Sequence, residues 1–201
     1  MPLTKLNATL GLTGALPAVS GANLTGIATD FVKLHTTTVS SGTATVDING
    51  YFSSTYDTYK IIGMNVKGTD DHEYISARAM VGGSAQSSNS SSILPGFNVS
   101  SSGKTDETNY SKGGNRFFLF KNSTHQSHMF ELTLTFPLKT DEHKVFTCLS
   151  GGQSYDSGTD LQSLRIMSGR YESDSALSGF QFLTGDDTNI TSGTFTLYGI
   201  K

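Results

Sequence analysis

The chain has 201 residues, 14 basic against 17 acidic side chains, a net charge of −3 and a single cysteine. These values exclude an intrachain disulfide framework and give no clustered basic face of the kind nucleic acid requires. No apolar run approaches the roughly 18–20 residues of a membrane span, so no membrane insertion is expected, and the length points to one domain with or without an appendage.

Serine, threonine and glycine number 27, 26 and 22. Such residues are poor in helix interiors and favour strands (Thr) or turns (Gly, Ser), so the composition points away from helices. Tryptophan is absent against 12 Phe and 8 Tyr, which predicts a core built from Phe and Tyr rings.

Residues 1–32 stand apart as an extended arm. "LTG" occurs at Leu12–Gly14 and again at Leu24–Gly26, with Pro17 between the copies. Leu12, Leu16, Pro17, Val19, Leu24 and Ile27 give the arm regular apolar contacts, yet it has too few neighbours to fold alone. It is expected to lie on the body, a sister subunit or another protein. The first residues lack a basic n-region and a long apolar h-region, so no secretion signal is expected.

The body, 33–201, opens with "KLHTTTVSSGTATVDI", β-branched residues flanking a Ser-Ser-Gly turn; this predicts a hairpin. Strands follow in "TYKIIGMNVKG" and "EYISARAMVGG". Residues 82–115 read as a long polar loop pinned at "ILPGF" by Ile93, Leu94 and Phe97. "NRFFLFKN" reads as a central strand covered on both faces. In "SHMFELTLTF", Phe130, Leu132, Leu134 and Phe136 share one face and Met129, Glu131, Thr133 and Thr135 the other, a period-two pattern. "KVFTCLSGG", "LQSLRIMSGRY", "SGFQFLTG" and "SGTFTLYGIK" complete the set, separated by turn signals at Gly151-Gly152, Asp156–Gly158 and Gly185–Asp187. Eight to ten strands at this spacing predict an all-β antiparallel sandwich or barrel.

Reactive motifs are missing: there is no G-x-S-x-G elbow and no H-E-x-x-H. His125 and His128 are three apart on the way into a strand and would face opposite sides, so they are not expected to share a metal. Asp70, Asp71 and Glu73, and Asp186 with Asp187, read as solvated acidic turns rather than calcium ligands. Cys148 lies between apolar neighbours and reads as a small buried hydrophobe. No cofactor is expected. Aromatic residues in polar stretches are the candidate surface contacts: Tyr51, Phe52, Tyr110 and Tyr155. Tyr beside Asn and Asp can stack on and hydrogen-bond a sugar. Tyr56 and Tyr59 are expected to cap the core instead.

"LPAVSGANLTGI", "TTTVSSGTATVDI", "YDTYKIIGMNV" and the terminal "SGTFTLYGIK" together resemble the tail fibres and related virion appendages of tailed bacteriophages. The resemblance covers residues 16–66 and 193–201. It implies a jelly-roll-like sandwich on an N-terminal arm that docks on other virion proteins or threads into a homotrimeric collar. It implies a non-enzymatic virion protein, made in the host cytoplasm, of short-fibre or adhesin type, with host surface glycan as a partner. The alternatives are a capsid decoration or cement protein and a tail adaptor. A carbohydrate-active enzyme would need paired carboxylates across a cleft, whereas the acidic residues here sit mostly in turns, so that reading ranks last.

Overall fold

The computed structural model describes residues 30–71, 73–100, 103–156, 159–185 and 188–201. The arm residues Leu12, Leu16, Pro17, Val19, Leu24 and Ile27 lie outside the described residues. The chain runs through β1 (Phe31–Val39), β2 (Thr45–Asn49), β3 (Thr58–Gly68), β4 (Tyr74–Val81), β5 (Ser84–Ala85), β6 (Ser90–Ser100) and β7 (Gly103–Gly114). It continues with β8 (Phe117–Lys121), β9 (His128–Thr135), β10 (Lys144–Asp156), β11 (Thr159–Tyr171), β12 (Gly179–Leu183) and β13 (Ile190–Ile200). Among the described residues there is no helix.

Two antiparallel sheets form a sandwich. The larger has eight strands in the order β1-β13-β3-β9-β10-β11-β6-β7; the smaller has β2-β12-β4-β5, with β8 also pairing β4. Strands far apart in sequence pair in nested order: β1 with β13, β2 with β12, β3 with β9, β4 with β8. A chain folded back on itself and rolled up in this way is a jelly roll. Two excursions from the roll, β5–β7 and β10–β11, meet through the β6–β11 ladder and extend the large sheet from four strands to eight.

The core lies between the sheets, with phenylalanine rings at its centre among Val, Ile and Leu. Phe130 and Phe195 from the large sheet meet Phe182 from the small one, with ring centroids 5.4 and 5.2 Å from it. Phe146 of β10 stands edge-on to Phe117 of β8 at 4.4 Å and 87°. All five rings are buried. Burying each contributes on the order of 1.5–3 kcal/mol relative to exposure. The alternation in β9 does what its sequence predicts for three residues: Phe130, Leu132 and Leu134 are buried while Met129 faces out.

Other expectations are corrected. The predicted hairpin of residues 33–48 does not form: β1 pairs with β13 and β2 with β12, so the Ser-Ser-Gly segment carries the chain from one sheet to the other. The 82–115 segment is not a loop; most of it is the β6–β7 hairpin. Of its expected anchor only Leu94 is buried, while Ile93 and Phe97 are 56% and 41% exposed. Alternation puts Ser90, Ser92, Leu94 and Asn98 inside, so the buried face is mostly polar and the usual strand signal is reversed. The Phe-rich segment at 117–121 is an outer strand of the small sheet, not a central one. Gly151 and Gly152 lie within β10 rather than in a turn. Phe136 has left the strand, with φ +47°, and is 42% exposed.

Candidate functional site at the far edge of the long sheet

The four added strands carry an unusual interior. Facing the small sheet are Ser90, Ser92 and Asn98 of β6, Lys144 and Ser150 of β10, and Ser163 and Arg165 of β11, all buried. Arg165 is fully enclosed and its Nη2 lies 3.5 Å from Asn98 Oδ1. Ser150 donates from Oγ to the Leu119 carbonyl of β8 at 2.9 Å, tying the extension to the small sheet. Burial pulls the Lys144 ammonium below the usual lysine range, against the raising influence of Asp174, Glu142 and Asp141.

His128, at the start of β9, is 2% exposed and stacks on Phe120, centroids 4.5 Å apart and planes 15° from parallel. Burial, with repulsion from the Arg165 cation, lowers its pKa to about 4 against a smaller raising contribution from the Gln153 backbone. The ring is therefore neutral at pH 7. Its seat is made by Gly152, where a Cβ would lie 2.4 Å from His128 Cδ2.

Above Gly152 the surface dips into a polar hollow of about 420 Å³ lined by Gln126, Ser127, Gly152, Gln153 and Gln162. Amide side chains both donate and accept, so this surface can hydrogen-bond a neutral polyhydroxy ligand. His128 is too deeply enclosed to exchange protons with such a ligand. A larger hollow of about 520 Å³ includes Ile93, Val145, Gly169 and Arg170. At its rim Glu172 accepts from Ser91 at 2.9 Å and is paired with Arg170; these contacts hold its carboxyl below the usual carboxylate range.

The sequence-predicted aromatics are not brought together. Tyr51 is 37% exposed and stacked on His35 of β1, centroids 4.3 Å apart. Phe52 turns inward, half-buried, its centroid 4.6 Å from that of Tyr59. Both therefore sit by the β1 side of the sandwich. Tyr110 lies in β7 opposite Ile93 and Tyr155 in β10 opposite Asp160; their side chains are outside the described residues. Tyr59 is buried and its hydroxyl donates to the Ser53 carbonyl at 2.8 Å, while Tyr56 meets its ring edge-on at 5.9 Å, so both cap the core.

The acidic turn before β4 is structural. Asp71 accepts from the Thr124 N–H and hydroxyl at 2.6 and 3.0 Å, clipping this turn to the β8–β9 turn. Cys148 is buried, and burial drives its thiol pKa far up. Among the described residues no group of three or more His, Cys, Asp or Glu converges on a metal position. Sequence reading missed Arg165 and Asn98. The signal for Arg165 is faint: "LQSLRIMSGRY" alternates Leu161, Ser163, Arg165 and Met167 with Gln162, Leu164, Ile166 and Ser168, and the two faces are equally apolar.

No protein-family model matches the chain, and no curated protein matches it. Among solved structures, one titled "Structure of infectious bursal disease virus Gx strain" is 10% identical over 92% of this chain, with a TM-score of 0.13. That score carries no argument about fold or function. The chain spans 45% of the length of that matched chain.

Proposed function

We propose that this chain is a non-enzymatic structural protein of a tailed-phage virion, an appendage of short-fibre or adhesin type. It is held by its N-terminal arm on other virion proteins, and copies of it associate, as a homotrimer by the resemblance. One observation carries the reading. The arm joins the body at β1, one edge of the eight-stranded sheet, where the Lys201 N–H donates to the Asp30 carbonyl at 3.1 Å. The β6–β7 hairpin forms the opposite edge of that sheet. The residue that follows the arm and the β6–β7 hairpin thus stand a full sheet width apart, about 34 Å at the usual strand spacing, an arrangement that suits attachment at one edge and display at the other. The glutamine-lined hollow lies on the display half and has the hydrogen-bonding character that a host glycan would use.

The test is immunogold electron microscopy of virions from the phage that encodes the chain. Gold at the tail or its tip supports the appendage reading. Gold over the capsid lattice replaces it with a decoration protein, and virions without label overturn the virion assignment altogether.

A further inference from the structure

The outward face of the eight-stranded sheet has two halves of different chemistry. On β1, β13 and β3 it is mostly hydroxyl and charge: Thr36 meets Thr196 at 3.3 Å, Thr38 meets Thr194 at 3.4 Å, and Lys60 pairs with Glu131 at 2.7 Å. Beyond β9 it turns apolar. Leu149 and Ile166 stand opposite each other on β10 and β11, 51% and 52% exposed; Leu164 stands opposite Phe97. Ile93 and Val145, 56% and 51% exposed, lie in the same extension. The inward face of these same strands sets Arg165, Asn98 and four serines among the core residues Leu94, Phe146, Cys148 and Met167. With the inner face so filled, the large apolar side chains of the outer face are left in water, and a contiguous apolar patch of this kind marks an interaction surface.

We infer that the outward face of β10, β11 and β6, with Met129 of β9 at its border, is where this chain packs against a second copy of itself. The inference deepens the association in the proposed function and rests on it. Area and layout point to a like partner. At the border Lys60 pairs with Glu131 and Arg170 with Glu172 within the chain, and Lys112 adds an exposed cation beside Ile93 and Val145. An apolar centre with a polar rim is the usual interface layout. Three strands by about twelve residues cover roughly 570 Å² at ordinary strand dimensions, so two copies bury on the order of 1,100 Å² in total, just above the ~1,000 Å² a specific interface needs. Sheet faces pack directly on one another at about 10 Å; the same face on both copies makes a two-fold pair, which the measured mass distinguishes from the homotrimer that the resemblance implies.

The experiment measures the mass of the full chain by light scattering at about 10 µM, beside the double variant Leu149→Lys/Ile166→Lys. Both positions face solvent in the single chain, so the circular dichroism spectrum should match wild type, while melting falls by no more than loss of the contact between copies accounts for. The expected result is a mass at a multiple of the 21.4 kDa chain that falls to one chain in the variant. A single-chain mass for wild type overturns the inference, as does a variant that still associates. Deleting residues 1–29 from a monomeric wild type and finding new binding of an apolar dye would assign the face to the arm instead. If the double variant does not fold, Leu164→Cys with a bifunctional maleimide decides: cross-linking there but not at Thr196→Cys supports the contact, and equal or absent linking at both overturns it. The virion labelling above is independent, so either result can fail without the other.

Discussion

The side chain of Arg165 lies across Gly96 on the neighbouring strand, so closely that a Cβ at Gly96 would stand 2.9 Å from both its Cγ and its Nη1. Gly96 is thus the space in β6 that lets a full-length cation lie flat inside the sandwich. Gly96→Val should be destabilising, because Arg165 cannot retreat through a packed core; overpacking of this kind costs about 1–3 kcal/mol. The check is the urea midpoint at constant m-value. An unchanged midpoint would show that Arg165 does not occupy this place.

His128 predicts a pH dependence. Its folded pKa is about 4 against an ordinary 6.5, so between these values the unfolded chain binds more protons than the folded one. Stability then rises with pH across the window, is fully present above about 6.5 and is lost as pH falls towards 4. The total is on the order of 3 kcal/mol. His128→Phe keeps a ring on Phe120 and removes the titration. The stability of wild type relative to this variant should decline from pH 7 to pH 4, and a difference that stays flat would contradict the buried neutral ring.

Neighbouring residues in β6 should respond oppositely to truncation. Leu94 is fully buried and Ile93 is 56% exposed. In the monomeric Leu149→Lys/Ile166→Lys background, Leu94→Ala should cost about 2–5 kcal/mol and Ile93→Ala no more than about 0.5 kcal/mol. Equal losses in denaturant melts would mean that the register of β6 is wrong.

The Cys148 thiol should be inert in the native protein, since it is buried and its pKa is raised by burial. Disulfide-exchange reagents at pH 8 should label it only after denaturation. Prompt labelling of the folded chain would contradict its place in β10.

The parts of the fold that sequence made legible are those where one face is apolar. Phe130, Leu132 and Leu134 announce β9 because every second residue is large and buried. The same logic failed in β6 and β11, where apolar residues also face outward and Ser92, Asn98, Ser163 and Arg165 face inward beside Leu94 and Met167. A strand that buries polar side chains looks like a loop, and residues 82–115 were unreadable for that reason. Pairing between β1 and β13, or β2 and β12, joins residues more than a hundred positions apart, and no local pattern encodes it. Of the candidate site, the aromatics were visible as letters. The Gln-lined hollow was not, because Gln126, Gly152 and Gln162 meet only after β10 and β11 pair.

The central claim is that one half of the outer sheet face is buried between copies and the other half is not. Met129 and Met64 lie on the same face, 57% and 55% exposed in the single chain, with Met129 in the row of Gly151, Leu164 and Phe97 and Met64 on β3. Peroxide oxidation of the native full-length protein, read residue by residue by mass spectrometry, compares them directly. The account predicts that Met64 is oxidised several-fold faster than Met129 and that the difference disappears in Leu149→Lys/Ile166→Lys; equal rates in the wild-type protein would contradict it.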